Sequence, residues 1–222
     1  MKREKNNNTD NSARTCVDCG VLNCSRRNAE YPDFCLTTAL DDKEKEEIKK
    51  LYENKVNKKI AVISAEIEGE FYEKYTRVEE IIEFCKRMGA KKIGIATCAG
   101  LINESRIFTK ILRKNGFEVY GVVCKAGSVN KTDIGIDEKY TRVSGMVMCN
   151  PILQAKLLNK AKTDVNVVVG LCVGHDSLFY KYAKGINTTL ITKDRVLAHN
   201  PAAALYQTNS YYSRLLKEQK KD

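Results

Sequence analysis

Four cysteines crowd into residues 16–35, a segment with few residues able to form a hydrophobic core. They are Cys16, Cys19, Cys24 and Cys35, spaced C-x2-C-x4-C-x10-C. A Cys-x-x-Cys pair can hold one ion from a tight turn, and two later thiolates complete a tetrahedron. Metal binding would also supply the folding free energy that this polar segment lacks. The spacing therefore predicts a four-cysteine metal site at residues 16–35.

The metal in this predicted site is left open by the spacing. Zinc and a [4Fe–4S] cluster both accept four thiolates, and the pattern matches neither the bacterial nor the plant-type ferredoxin run. The alternatives are that these cysteines are incidental, or that Cys16 and Cys19 form a redox pair. A redox pair usually opens a helix directly after a strand, and no strand is predicted before Cys16.

Four further cysteines follow apolar runs, and three of these runs read as strands. Cys98 follows KIGIAT, Cys124 follows FEVYGVV, Cys172 follows VNVVVGL, and Cys149 follows GMVM before a predicted helix. The carboxyl ends of parallel strands face one crevice, so Cys98, Cys124 and Cys172 should share a cleft, with Cys149 at its rim. We expect them to hold a second centre, an iron–sulfur cluster; the alternative is that each packs as a small apolar residue.

Polar residues near the same predicted cleft are candidate catalytic groups. His175 and Asp176 follow Cys172 in GLCVGHDSLF, and Arg195 and His199 lie in KDRVLAHNP after the last predicted strand. A histidine titrates near neutral pH and an arginine binds anions, so these residues would handle protons and substrate charge. The alternatives are a helix cap for Asp176 and a solvated loop for residues 193–199.

Short Val- and Ile-rich runs alternate with amphipathic stretches, which is typical of an α/β domain with a buried parallel sheet. We predict a three-layer, Rossmann-like domain of about five mostly parallel strands. The predicted strands are 60–65, 92–97, 117–123, 165–171 and 188–192. The predicted helices are 74–88, 103–115, 151–162 and 176–184, with Cys85 on an apolar helical stripe and therefore in the core.

Three segments follow from these patterns. Residues 1–15 are predicted to be a disordered polar N-terminus, and residues 16–40 the cysteine-rich metal-binding segment. Residues 41–222 would be the α/β domain, beginning with a linker helix that Asp41 or Asp42 caps and that ends before Ile60. A closing C-terminal helix, broken near Asn209, completes it.

Composition narrows the location and the partners. The chain has 222 residues, 43% of them hydrophobic, and nine cysteines. Its polar opening does not resemble a signal peptide, and its most apolar run, residues 165–174, is too short to span a membrane. We therefore expect a cytoplasmic protein, where clustered thiols are more often metal ligands or redox groups than disulfides. The net charge of +10 is spread over scattered lysines, so neither a nucleic-acid nor a membrane partner is expected.

Three stretches, CVDCGVLNC with Cys35, GLCVGHDSLF and KDRVLAHNPAAALY, resemble an uncharacterised family described as metal-binding, domain of unknown function 1847, found mainly in anaerobic bacteria and archaea. The resemblance implies metal binding, and an anaerobic setting would favour oxygen-sensitive clusters. The leading hypothesis is an iron–sulfur redox or ligand-activating protein, whose partner would be an electron-transfer protein or a small anionic ligand. The alternatives are a zinc-stapled module that binds a small molecule, and a soft-metal sensor or carrier.

Overall fold

The computed structural model describes residues 14–217 and divides them into two compact units, one up to Val62 and one from Ile63. Except for Arg14 and Thr15, the predicted polar N-terminus lies outside the described residues. The helices are α1 (Leu36–Ala39), α2 (Asp42–Leu51), α3 (Lys55–Phe71), α4 (Arg77–Met88), α5 (Ile102–Lys114), α6 (Thr141–Ser144), α7 (Pro151–Ala161), α8 (His175–Tyr182) and α9 (Ala202–Tyr206). The strands are β1 (Lys92–Thr97), β2 (Glu118–Val123), β3 (Val165–Val169) and β4 (Ile186–Ile191).

The N-terminal unit is built from short turns and capped helices. Cys16–Asp18 form one 3₁₀ turn, which begins at a capping box between Thr15 and Asp18. The predicted linker helix is α2, where Asp41 accepts a hydrogen bond from the backbone N–H of Glu44. Such a cap satisfies an amide that has no partner within the helix.

The second unit is a three-layer α/β domain, which confirms the predicted architecture, with four strands where about five were expected. The strands are all parallel and lie in the order β2-β1-β3-β4. On one face, α4 and α5 bury Ile81, Cys85 and Phe108 against β1 and β3. On the other face, α7 and α8 bury Leu158 and Phe179 against the same strands.

The strand predicted at 60–65 is wrong, because these residues belong to α3. A short apolar run fits a buried strand and a helix equally well when its flanks are ignored. Continuing past residue 65 reveals a helical repeat, since Ile63 and Ile67 are buried and Phe71 is half-buried, each four residues from the last. The intervening charged side chains remain exposed, which a strand buried on both faces would not allow.

The strand order places a topological switch between β1 and β3. The chain goes from β1 outward to β2 on one side, and from β3 outward to β4 on the other. In open parallel sheets, the crevice beyond the carboxyl ends of two such strands is the usual place for a ligand. Cys98 directly follows β1, and Cys172 lies a few residues beyond β3, so both cysteines flank this crevice.

The C-terminal segment, predicted to be a helix with a break near Asn209, forms two short pieces within the described residues. Helix α9 ends at Tyr206, and a 3₁₀ turn follows at Ser213–Leu216. Among residues 14–217, the longest helices are too short or too polar to cross a lipid bilayer.

Candidate thiol centre at the carboxyl edge of the sheet

Two of the predicted cleft cysteines are held in place by the backbone of neighbouring strands. The amide of Cys98 donates to the carbonyl of Val169 at 3.1 Å, and the amide of Cys124 donates to the carbonyl of Thr97 at 2.8 Å. Each cysteine therefore extends the hydrogen-bonding ladder beyond its own strand. Both sulfur atoms lie at the edge where the parallel strands end.

Cys149 reaches the same edge from the long loop between β2 and α7. The amide of the next residue, Asn150, donates to the carbonyl of Cys124 at 2.7 Å. The side chain of Asn150 also caps α7, because its Oδ1 accepts from the amide of Leu153 at 3.0 Å. One asparagine thus begins α7 and fixes Cys149 beside Cys124.

These residues form a row of contacting side chains. The thiol of Cys124 lies in hydrogen-bonding contact with both Cys98 and Cys149, and the thiol of Cys149 also contacts the imidazole of His175. The amide of Ala99 donates to Cys124 Sγ at 3.3 Å. The order along the row is therefore Cys98, Cys124, Cys149, His175.

Hydrogen bonds in this row favour thiolates at Cys98 and Cys149, the two cysteines on either side of Cys124. The pKa of Cys98 is lowered chiefly by its hydrogen bond with Cys124, and then by the amide of Gly100 and the ammonium of Lys193. The pKa of Cys149 is lowered by Cys124 and by His175, with Lys125 adding a favourable charge. A thiolate at these positions is ready to bind a metal or to react.

Cys124 and His175 titrate in the opposite sense. The pKa of Cys124 is raised because its proton is shared with Cys149 and Cys98, and burial adds to the effect. The pKa of His175 is raised by its hydrogen bond with Cys149, which favours an imidazolium. One S–H can donate to only one neighbour at a time, so the row contains a thiol between two groups that compete for its proton.

The fourth predicted cleft cysteine, Cys172, lies outside the row but close to it. Arg195 donates from Nη2 to Cys172 Sγ at 2.9 Å. The carbonyl of Cys172 accepts the amide of His175 at 2.9 Å, so the two are joined by one turn at the start of α8. Cys172, Arg195, His175 and Cys149 all line one cavity of about 510 Å³.

The long loop between β2 and α7 supplies much of the lining of this cavity. Residues 129–131 pair with residues 146–148: the amide of Lys131 donates to Met146, and the amide of Met148 donates to Val129. Apolar side chains from the loop, including Ile134 and Ile136, face the cavity. The loop is therefore a folded wall of the cavity.

Two of the predicted catalytic residues are placed differently. Asp176 lies next to His175, where its carboxylate favours the imidazolium, but its Oδ1 accepts the amide of Ser177 at 2.8 Å. His199 is not brought to the cysteines. Its Nδ1 accepts the amide of Asp194 at 3.2 Å, and it lines a separate cavity of about 810 Å³ with Arg77.

The N-terminal cysteines are described within their own unit. Cys16 and Cys19 lie at the two ends of one 3₁₀ turn, and the amide of Cys19 donates to the carbonyl of Cys16 at 3.3 Å. Thr37 links the other two: its hydroxyl donates to Cys24 Sγ at 3.8 Å and also contacts Cys35. The pKa of Cys35 is lowered chiefly by the amide of Thr38.

In residues 14–217, no group of three or more His, Cys, Asp or Glu side chains is already arranged to hold a metal ion.

Cys85 behaves as predicted from its apolar stripe, since it is fully buried. Burial raises its pKa to about 12, so it stays a thiol.

Three residues of this region were not singled out from the sequence. Lys125 follows Cys124 directly, and its position after a strand could have identified it. Lys131 and Gln154 do not directly follow a predicted strand, so this signal could not have identified them. Gln154, fully buried in α7, donates to the carbonyls of Thr97 at 3.1 Å and Val122 at 2.7 Å, and so supports the ends of the strands that carry the cysteines.

The fold and the site together define a parallel α/β protein with a thiol-rich centre at the carboxyl edge of its sheet. The family model described as "Protein of unknown function (DUF1847)" matches residues 35–190. The uncharacterized protein MJ0455 of Methanocaldococcus jannaschii is 54% identical over 165 residues, which cover 74% of this chain and 84% of that protein. The chain therefore belongs to the DUF1847 family, as its sequence resemblance indicated.

The matched region contains all four cleft cysteines but only Cys35 of the four N-terminal cysteines. It includes the whole row from Cys98 to His175, together with Cys172. Five predicted site residues lie outside it: Cys16, Cys19, Cys24, Arg195 and His199.

Proposed function

We propose that this protein binds a soft metal centre, an iron–sulfur cluster, in the cleft at the carboxyl edge of its sheet. One observation carries the proposal: Cys98, Cys124, Cys149 and His175 come from separate segments, and backbone hydrogen bonds at the carboxyl edge of the sheet bring them into a single row. Packing alone would not require sulfur atoms from three loops to contact one another.

The donor set fits such a centre. Thiolates and imidazoles are the ligands that iron–sulfur clusters, zinc and copper(I) prefer. Cys98, Cys124 and Cys149 would hold the cluster, with Cys172 or His175 as the fourth ligand. Small side-chain rotations would have to bring them to a common ion, and folded strands hold the backbone in place for this.

Positive charges around the cleft support the same proposal. Several thiolates in one place repel each other, and nearby cations offset that cost. Lys193 lies against Cys98, Lys125 acts on Cys149, and Arg195 donates to Cys172. A bound cluster would supply one-electron transfer, or ligand activation if one coordination position stays open. Where Cys172 is the fourth ligand, His175 would hold or release a proton beside the cluster.

We further propose a second centre in the N-terminal unit, held by Cys16, Cys19, Cys24 and Cys35. Thr37 already joins Cys24 to Cys35, and a single turn joins Cys16 to Cys19. Zinc or a second cluster fits four thiolates equally well. A reducing cytoplasm would keep all these cysteines available, and an electron-transfer protein would be the partner of a redox centre.

The test is metal analysis of protein purified without oxygen. In the wild type we expect iron, acid-labile sulfide and visible charge-transfer absorption. In Cys124→Ala we expect the iron and sulfide of the cleft centre to be lost. The control is Cys85→Ala, which removes a cysteine from the core and should keep its metal. Wild-type protein that stays colourless and free of iron after reconstitution with iron and sulfide would contradict the cluster.

The N-terminal centre is tested separately, by replacing Cys16 and Cys19 together with alanine. We expect this variant to lose one centre and to retain the iron and sulfide that Cys124→Ala loses. If the double variant retains the full metal content of the wild type, the N-terminal centre is not formed by these residues.

A second candidate function, binding of a small molecule by a zinc-stapled module, is favoured by one observation. The cavity of about 510 Å³ beside Cys149 combines apolar walls with lysine and arginine side chains. Binding of a small molecule in this cavity does not require a metal centre in the cleft.

A further inference from the structure

Lys131 is a buried cation without a negative partner. Lys131 is only 9% exposed. Its Nζ donates to Ser144 Oγ at 2.5 Å and to the carbonyl of Tyr140 at 3.4 Å. Both acceptors are neutral. Within residues 14–217, no carboxylate lies within ion-pair distance of this ammonium. A buried charge that lacks a counter-charge is costly, and an anion would remove that cost.

The cavity that Lys131 lines carries two more cations and no acidic side chain among its described lining residues. Lys125 donates from Nζ to the carbonyl of Val147, and Arg195 donates to Cys172 Sγ. Neither makes an ion pair with a described carboxylate. The thiolate favoured at Cys149 is the one anionic group established in the described lining, against the cations Lys125, Lys131 and Arg195. The lining is therefore net positive, and it would attract an anion and repel a cation.

The remaining walls are largely apolar. Ile134, Ile136, Met148 and Leu178 line the cavity, which has a volume of about 510 Å³. Ligand sites for small organic molecules have volumes of about 300–1,000 Å³ and combine apolar walls with a few placed polar groups. Inorganic phosphate alone would leave these apolar walls unused.

We propose that this cavity binds a small organic anion, with its acidic group at Lys131 and its apolar part against the isoleucines. Arg195 and Lys125 would strengthen the attraction. The ligand would lie directly beside Cys149 and His175, and its role as the molecule on which the metal centre acts rests on the proposed function. Binding itself depends only on the charge and the walls of the cavity.

The test compares three probes by isothermal titration calorimetry with the full chain, purified without oxygen: hexanoate, hexan-1-ol and inorganic phosphate. Hexanoate has both the charge and the apolar chain, hexan-1-ol lacks the charge, and phosphate lacks the chain. We expect hexanoate to bind about tenfold or more tightly than either of the others, since a hydrogen bond to a charged group contributes that much. This comparison needs no variant, so it holds even if a substitution impairs folding.

A variant then assigns the charge. Lys131→Met keeps the length of the side chain and removes the ammonium, so hexanoate affinity should fall about tenfold or more while hexan-1-ol affinity stays the same. Lys114→Met, which removes an exposed lysine at the end of α5, should bind hexanoate as the wild type does. Undetectable hexanoate binding by the wild type, equal binding of hexanoate and hexan-1-ol, or unchanged hexanoate affinity in Lys131→Met would overturn the proposal.

Metal content is measured on the same samples, which separates the two proposals. Hexanoate binding that depends on Lys131 in protein without any metal would support the anion site and count against the proposed centre. Metal-loaded protein that does not bind hexanoate would support the proposed centre and count against the anion site. Retention of the metal in Lys131→Met, together with weaker hexanoate binding, would support both.

Discussion

The imidazole of His175 contacts the thiol of Cys149, although one residue begins α8 and the other precedes α7. The contact depends on two backbone hydrogen bonds that fix the two segments: Asn150 to the carbonyl of Cys124, and His175 to the carbonyl of Cys172. Each bond joins a loop to a cysteine that follows a strand. The sheet edge therefore positions both partners of the pair.

The first prediction concerns the pH at which Cys149 becomes a thiolate in metal-free protein. Hydrogen bonds from Cys124 and His175 lower its pKa, so removing either should raise it. We expect Cys124→Ala to move the midpoint of Cys149 alkylation upward by about one pH unit or more, and His175→Gln to move it by less. Iodoacetamide labelling followed by peptide mass spectrometry measures this midpoint.

The control for this measurement is Ser177→Ala, an exposed residue on α8, which should leave the midpoint in place. Cys85 supplies an internal reference, because burial raises its pKa to about 12 and it should resist labelling in the folded protein. Equal midpoints in the wild type and Cys124→Ala would show that Cys124 does not stabilise the thiolate.

The second prediction concerns Gln154, which ties α7 to the ends of β1 and β2. Gln154→Leu removes both donors and leaves the carbonyl of Val122 without this partner. We expect the free energy of unfolding to fall by about 1–2 kcal/mol, because two buried hydrogen bonds are lost. The loss is partly offset because Leu also removes Oε1 of Gln154, a buried oxygen without a partner among the described residues. Urea denaturation followed by circular dichroism measures it, with Gln207→Leu at an exposed position as the control. A loss no larger than in that control would mean that water replaces the missing donor.

Much of the second unit follows from local sequence patterns. The strands at Lys92–Thr97 and Val165–Val169 were predictable because apolar runs buried on both faces are bounded by turns. The placement of Cys98 and Cys124 followed from the rule that parallel strands end at one edge. The helix at Lys55–Phe71 was missed because a short apolar run has the same appearance in a helix and in a strand.

The contacts within the site could not be derived in the same way. Neither the order of the strands nor the path of residues 125–148 is encoded in a local pattern, and together they decide that Cys149 lies beside Cys124. The separation of His199 from the cysteines has the same origin: its loop turns back so that the ring contacts the amide of Asp194. Long-range topology selects which strand-end residues meet.

The third prediction concerns Gly170, the residue after β3. It has a φ of +67°, and a Cβ at this position would overlap Leu101 Cδ1. Gly170→Ala should therefore lower the free energy of unfolding by roughly 2–5 kcal/mol, from backbone strain and overpacking together. Gly121→Ala is the matched control, since a Cβ there has no neighbour within 4 Å. Thermal denaturation of both variants measures the difference, and similar midpoints would show that Leu101 moves aside at little cost.

The fourth prediction concerns Arg87, which connects α4 to α3. Its guanidinium donates to both carboxylate oxygens of Glu70, at 3.0 and 2.7 Å, and to Glu83 at 2.8 Å. Hydrogen bonds from Arg87 hold the pKa of Glu70 below its ordinary value of 4.5. The pair therefore stabilises the fold fully above that value, and this contribution is lost as the pH falls through the lower, folded pKa.

Arg87→Leu should lower the melting temperature at neutral pH, and the difference from the wild type should shrink in acid, where Glu70 is protonated. Arg113→Leu, at an exposed position on α5, should show neither effect. Melting curves recorded by circular dichroism across this pH range measure the difference. A difference that stays constant from neutral pH into acid would mean that Arg87 acts through packing of its aliphatic stem on Phe71, and that its charge contributes little.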